Sequence, residues 1–285
     1  MGIRGNNLDE NLQMIINDFE EEVNYLKQEN EKKENFTLNI THDMRSHLNV
    51  IISALQFIEH NDWNIRDEKR YMNIIKRNSY KILKLINNLI DTSRLENNYY
   101  KLEKRNMDIV SMIEGTVECI ERYSLEKNIQ LIFDTNKEEC IVSADPEAID
   151  RIVMNLLSNA IKFSPMDSEI FVYLNIDSEN INISVKDKGK GISKEEQDKI
   201  FNRFYQCSNR SAKEYIGSGI GLDLTNYLVK AHGGNISINS RENEGAEFIV
   251  TIPRILEEHI EGIDNSISSK IQMLEIEFSD IYLSE

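Results

Sequence analysis

"NLLSNAIKFSP", residues 155–165, sets Asn155 and Asn159 four residues apart, with Lys162 three further on. Steps of three and four put these side chains on one face of an α-helix. The stretch closes a helical pattern running from Pro146 to Phe163, with Asp145 as N-cap and Pro146 at the first helical position. An amide oxygen is a hard, neutral ligand suited to Mg²⁺, which takes its remaining ligands from phosphate and water. A lysine nearby offers a point positive charge for phosphate. Asparagines on a helix also make an ordinary solvent-facing stripe, so the reading depends on what the neighbouring sequence brings to that face.

Downstream, "VKDKGKGIS" (185–193) is an apolar strand ending in Asp187, followed by Gly189 and Gly191. A carboxylate that accepts from an exocyclic amine, beside glycines that let backbone approach a flat ring, describes an adenine pocket; an ordinary turn has the same pattern. Further on, "GSGIGL" (217–222) carries Gly217, Gly219, Gly221 and Leu222 into a helix reaching about Ala231. Backbone N–H groups uncovered at a helix N-terminus form an anion site. The G-x-G-x-G spacing, preceded by "NRSAKEYI" rather than a buried strand, is not the dinucleotide fingerprint, and there is no P-loop.

Around these motifs, helical patterns (109–126 and 146–163) alternate with the strand-like runs "IQLIF", "EIFVYLNI", "NINISVKD", "GNISINS" and "AEFIVTI". All but two of the twelve glycines lie at or beyond position 115. This is an α/β segment of about 150 residues, the size of one domain. The N-terminal third differs in kind, since neither Gly nor Pro occurs from Asn6 to Tyr100. Leu8, Leu12, Ile15, Phe19 and Leu26 follow heptad spacing, interrupted at Glu22, and predict a short coiled coil. Periodicity continues through Phe36, Ile40, Leu48, Ile51, Leu55 and Ile58, breaks at "EHNDWNIRDEKR", and resumes at Tyr71, Ile75, Ile82, Leu85 and Leu89 to end near Leu95. Two long amphipathic helices joined by a polar loop make an antiparallel hairpin. One hairpin leaves its apolar stripe uncovered, so pairing in a homodimer as a four-helix bundle is the economical expectation. The tail's "LEIEFSDIYL" alternates Leu274, Ile276 and Phe278, which fits an edge strand, a partner-docking segment or a loosely held acidic extension.

The formal net charge of −16 argues against a nucleic-acid backbone as partner. Residues 1–35 hold nine acids and four bases, and residues 255–285 hold eight acids and one base, so the acidity is concentrated at the ends and reads as solvated appendages. Cys119, Cys140 and Cys207 lie in no metal-ligand pattern, and a reducing, cytoplasmic setting is the simpler expectation. No apolar run approaches the ~18 residues of a membrane span, and "MGIRGNN" lacks a hydrophobic signal region.

One stretch remains: "FTLNITHDMRSHLNVI" (36–51), in which His42 is followed by Asp43 and, four residues on, by Ser46. In order and spacing, the motifs at 155–165, 185–193, 200–206 ("IFNRFYQ") and 217–222 resemble the N, G1, F and G2 boxes of sensor histidine kinases, and residues 36–51 resemble their H box. The resemblance covers about residues 36–254. It implies a Bergerat α/β sandwich that binds ATP, following the helical dimerisation hairpin. It implies His42 as phosphoacceptor and Asp43 as the general base beside it. It implies Asn155 on Mg²⁺, Asn159 and Lys162 near the phosphates, Asp187 on the adenine amine with Gly189 and Gly191 shaping its pocket, and Arg203, Phe201 and Phe204 bordering a mobile lid that ends at Gly217, Gly219, Gly221 and Leu222. The receiving partner would be the receiver domain of a response regulator.

Two positions depart from the family pattern. Ser46 replaces a Thr or Asn, which weakens the expectation of phosphatase activity, and His47 replaces a Pro, which predicts a straighter helix. His47 lies about 140° round the helix from His42 with no acid after it. His60, His232 and His259 match no catalytic motif and read as loop, helix-end and tail residues. The expected organisation is a signalling helix (1–35), a dimerisation and phosphotransfer domain (36–98), a linker (99–106), an ATP-binding domain (107–254) and an acidic extension (255–285). Two other classes share these features in part: a scaffold that relays or blocks phosphoryl groups, and an ATPase clamp. Intact Asn155, Asp187 and glycines disfavour the first, and the H box has no purpose in the second.

Overall fold

The N-terminal third, free of glycine and proline from Asn6 to Tyr100, forms two long helices, α1 (Ile3–His60) and α2 (Ile65–Glu96). The computed structural model describes residues 3–60, 65–96, 101–207, 219–256 and 267–281. It divides into two compact units, Met1–Arg45 and Ser46–Glu285. In the first, the expected heptad residues Ile15, Phe19 and Leu26 are 53%, 62% and 58% exposed, an apolar seam left open among the described residues. The side chains of Leu8 and Leu12 lie outside the described residues. Helix α1 continues without a break through His47, as the missing proline predicts.

In the second unit, Phe57 stacks on Tyr71 with ring centroids 4.5 Å apart, and the His47 and Asn78 side chains lie 3.0 Å apart in a hydrogen bond. Pairing that rises in number on one helix as it falls on the other is that of an antiparallel hairpin. The break expected at 59–70 is shorter than the sequence suggests, since 59–60 end α1 and 65–70 begin α2, and residues 61–64 lie outside the described residues.

The α/β part begins with β1 (Arg105–Asp108), α3 (Ile109–Ser124), β2 (Gln130–Thr135), β3 (Ile141–Ala144) and α4 (Pro146–Phe163). It continues with β4 (Glu169–Ile176), β5 (Asn180–Lys186), the short α5 (Lys194–Gln197), α6 (Gly221–Ala231), β6 (Asn235–Ser240) and β7 (Ala246–Pro253). Strands β1 and β3 form an antiparallel pair that the sequence pattern did not disclose. The others build one mixed sheet in the order β2-β4-β5-β7-β6, with β2 and β4 parallel. Burial alternates along β5 and β7, and the inward set, including Ile181, Ile183, Val185, Phe248, Val250 and Ile252, packs under the apolar faces of α3, α4 and α6. Each such side chain taken out of water contributes about 1.5–3 kcal/mol.

Caps lock the helix that carries the 155–165 motif. Asp145 accepts from the Ala148 N–H at 3.1 Å, with Pro146 at the first position, as the sequence predicts. His232, at the end of α6, accepts from the Asp145 N–H at 3.1 Å and donates through Nδ1 to the Leu228 carbonyl. The other end of α4 is held by Lys127, whose ammonium donates to the Ile161 and Lys162 carbonyls at 2.8 Å each.

The tail differs from the strand or loose extension expected of it. Residues Ile267–Glu277 form α7, continued by a 3₁₀ turn at Phe278–Asp280. Leu274, Phe278 and Ile281 are buried in the same core as α3 and α4, and Phe278 stacks on Tyr123 with centroids 4.8 Å apart. The alternation of 274, 276 and 278 concealed a helical spacing of 274, 278 and 281, and burial selected the helix. Among the described residues, no helix is long and apolar enough to cross a membrane.

Candidate functional site

On α4 only Arg151, Asn155, Asn159 and Lys162 between positions 151 and 162 are less than fully buried. Asn155 donates through Nδ2 to Thr225 Oγ1 at 2.7 Å, and no described residue donates to its Oδ1. That oxygen lies against Gly221, the first residue of α6. A Cβ built on Gly221 would meet Oδ1 in hard contact and Cγ at 3.0 Å. The third glycine of the 217–222 motif therefore stays bare so that the Asn155 carboxamide keeps its place beside the helix N-terminus. Asn159 pairs with no described residue.

Asp187, at the end of β5, is buried. Its Oδ1 accepts from the Gly189 N–H at 2.7 Å and the Ala246 N–H at 3.3 Å, and no described residue donates to Oδ2. Burial pushes its carboxyl above the usual carboxylate range, against the pull of those two N–H groups. A Cβ on Gly189 would meet the Phe163 carbonyl oxygen at 2.6 Å, so backbone from α4 and from β5 converge beside the carboxylate. Gly191 has φ of +66°, the left-handed region in which glycine carries no penalty.

The "IFNRFYQ" stretch closes against the start of α6. Phe204 has φ of +64°, unusual for a side-chain-bearing residue, and its N–H donates to the Gly219 carbonyl at 2.9 Å. Arg203, expected to border the lid of the ATP site, donates through Nε to Asp223 Oδ2 at 2.9 Å and ties this stretch to α6. Leu222, in the first turn of α6, packs against the core. Gly217 and lid residues 208–218 lie outside the described residues.

Lys162 is not in open solvent. Its side chain is 8% exposed and its ammonium is 3.5 Å from Asp280, in the turn after α7. Burial and the neighbouring Lys84 bring its pKa down to about 8, against the pull of Asp280. Sequence reasoning missed Asp280, Thr225 and Asp223. Thr225 and Asp223 had a signal, lying four and two residues past Gly221 on the helix whose N-terminus the motif opens; the acidic tail gave none that pointed at Lys162.

In the first unit, His42 has 82% of its side chain exposed, and its Nδ1 lies 3.5 Å from Asp43 Oδ1. Ser46 is exposed, whereas His47 is half-buried in its bond to Asn78. The two histidines thus differ in their surroundings: one imidazole is open beside a carboxylate, the other is a structural contact.

Residues 32–98 match the model of the His Kinase A (phospho-acceptor) domain, and residues 144–255 match that of the histidine kinase-, DNA gyrase B- and HSP90-like ATPase. Over 230 residues the chain is 27% identical to sensor histidine kinase WalK of Bacillus subtilis (strain 168), covering 80% of this chain and 37% of that protein. Over 248 residues it is 29% identical to YcbM, a sensor histidine kinase of the same organism, covering 86% of this chain and 79% of that protein. Among solved structures, full-length ShkA in complex with AMPPNP shares the fold at TM-score 0.59 and 21% identity, over 79% of this chain and 46% of that one. The chain thus spans little more than a third of WalK and about four-fifths of YcbM.

Proposed function

This chain belongs to the histidine kinases, carrying their phospho-acceptor and ATPase domains in that order, and on that basis we propose that it transfers the γ-phosphoryl group of ATP to His42 and then to an aspartate on the receiver domain of a response regulator. The observation that carries this reading is the His42 imidazole, 82% exposed with a carboxylate 3.5 Å from Nδ1. With Nδ1–H directed at Asp43, the lone pair of Nε2 is the nucleophile. The Nε2–P bond forms as the bond from phosphorus to the bridging oxygen breaks, ADP leaves with the electron pair, and the Nδ1 proton passes to Asp43. Most of the barrier in such a transfer is lowered by positioning and charge compensation rather than by covalent chemistry.

The ATPase domain supplies the positioning. Asp187 Oδ2 takes the adenine amine, since Oδ1 is already committed to two backbone N–H groups. Gly189 and Gly191 shape that pocket by letting the backbone at Phe163 and at Arg241 close in beside it. Asn155 Oδ1 is the ligand for Mg²⁺, which when bound neutralises phosphate charge, and Asn159 and Lys162 stand on the same stripe for the phosphates. The uncovered N–H groups from Gly219 to Leu222 face the same anion, while Arg203, through Asp223, holds the segment in front of them. The exposed heptad and hairpin stripes support a homodimer. Three free cysteines and dependence on ATP fit a cytoplasmic site of action. Ser46 keeps a hydroxyl where water would be positioned, so any phosphatase activity is weak.

Incubation with γ-labelled ATP and Mg²⁺ tests the proposal. Acid-labile, base-stable label is expected, lost in His42→Ala and kept in His47→Ala. Label that survives His42→Ala refutes the assignment, and ATP hydrolysis without protein label points to a clamp.

A further inference from the structure

The segment 267–281 lies across the α/β domain and α2 together, and its polar contacts are not those of a solvated appendage. Glu275 accepts from Lys76 Nζ at 3.0 Å and from the Tyr80 hydroxyl, both on α2. One turn further along α2, Lys84 donates to the Glu277 carbonyl at 2.6 Å and to Asp280 Oδ2 at 3.1 Å. The same Asp280 oxygen is 3.5 Å from Lys162. On the other side, Lys270 reaches Asp150 at 3.0 Å and Thr116 Oγ1 at 2.7 Å. Phe278, under the segment, is fully buried on Tyr123.

These contacts join three parts of the molecule: the basic face of α2, the α3–α4 layer of the ATPase domain, and the lysine at the end of the nucleotide stripe. We propose that residues 267–281 are an acidic strap that docks on Lys76, Lys84 and Lys162, withholds Lys162 from nucleotide phosphate and fastens α2 to the ATPase domain, so that its release is a switch for kinase activity. The inference rests on the assignment of Lys162 to phosphate made above.

The chemistry is competitive. A single carboxylate, Asp280, serves two ammonium groups, and it is held well below the usual carboxylate range: burial opposes ionisation, but Lys84 and Lys162 outweigh it. Lys84, which burial alone would lower, is pushed up to about 12 by Glu277 and Asp280. A phosphate arriving at Lys162 has to displace that carboxylate, and an ammonium released from a carboxylate regains a charge-assisted bond of comparable strength with phosphate. The second effect is mechanical. Transfer to a histidine requires the ATPase domain to move relative to the helical hairpin, and the strap bridges α2 and the ATPase domain through both ion pairs and a buried ring.

The full chain is compared with Asp280→Asn, which keeps the shape and removes the charge, and with Phe278→Ala, which removes the apolar anchor. ATP affinity is read with a fluorescent ATP analogue and, separately, the rate of His42 labelling is followed. Both variants should bind nucleotide about tenfold more tightly and label faster, with hydrogen exchange in 76–84 of α2 rising in parallel. Affinity equal to or weaker than that of the unaltered chain in both variants overturns the strap. If affinity rises while no variant labels His42, the strap stands and the kinase assignment falls. If the unaltered chain labels His42 and neither variant changes affinity or rate, the kinase assignment stands and the strap falls. Failure of every form to bind the analogue removes both.

Discussion

Gly221→Ala separates the roles of the site from those of the fold. The new methyl would collide with Asn155 Oδ1 and stand 3.0 Å from its Cγ and 3.2 Å from its Nδ2. All three atoms are the far end of a side chain, so the collision is relieved by swinging the carboxamide away rather than by moving backbone. The lost contact is one hydrogen bond to Thr225, worth about 0.5–1.5 kcal/mol. Replacing glycine by alanine in the first turn of α6 returns part of that, up to about 1 kcal/mol. Net stability should therefore stay within about 1 kcal/mol, a shift of roughly 2–4 °C in Tm for a chain of this size. The catalytic consequence is far larger, because the displaced oxygen is the proposed Mg²⁺ ligand. Loss of one such preorganised group lowers a rate by about 10²–10³-fold.

The assay is the rate of His42 labelling at saturating ATP and Mg²⁺, with thermal unfolding followed on the same preparation. Labelling within threefold of the unaltered protein would show that Asn155 is not a ligand. A large fall in Tm with proportionate loss of activity would show that the carboxamide is pinned and that the collision deforms α6, so that the residue is structural.

Asp187→Asn should abolish nucleotide binding while leaving stability equal or slightly higher at neutral pH, since an amide avoids the burial that already raises the Asp187 pKa; a marked loss of stability by urea titration would contradict this. His47→Ala breaks the bond to Asn78 and should destabilise the hairpin by about 1 kcal/mol with labelling retained, measured by hydrogen exchange across α2. His232 is held neutral, its pKa lowered first by burial, and it accepts from the Asp145 N–H. A base with a lowered folded pKa gives stability that is present above its unfolded value of about 6.5 and lost as pH falls below it. Urea titrations at pH 7.5 and 5.5 should show that loss, and His232→Gln should show less of it while being weaker at pH 7.5.

What the sequence disclosed follows from local rules. The Asp145–Pro146 cap, the single face of Asn155, Asn159 and Lys162, and the uninterrupted helix past His47 depend on neighbours within a turn, and a linear reading captures them. His232 at a helix end needed no more. The parts that stayed hidden are long-range. Asp223 and Thr225 were visible as residues of a helix, but their partners Arg203 and Asn155 lie 20 and 70 positions away. The strands β1 and β3 are four residues each, too short to carry a period. In the tail, two periodicities coexisted in the same letters, and the choice between them was made by Tyr123 and the lysines of α2, which no window along the chain contains.

The strap and the nucleotide site are linked by the geometry of a single helix. At 100° per residue, Asn155, Asn159 and Lys162 lie within about 80° of Arg151, on one stripe of α4. Arg151 is held at one end of that stripe by a two-pronged pair with Asp91 of α2, at 3.1 and 3.0 Å. Lys162 is held at the other end by Asp280, itself tied to Lys84 of α2. Asn155 and Asn159 lie between them. The surface proposed for nucleotide is therefore fastened to α2 at both ends. A rigid helix cannot shift one end of such a stripe without the other, so release of the strap at Lys162 should also loosen Arg151 from Asp91. Charge removed at position 280 is thus expected to raise hydrogen exchange around Asp91 as well as around Lys84, and exchange that changes at Lys84 alone would mean that α4 does not carry the signal.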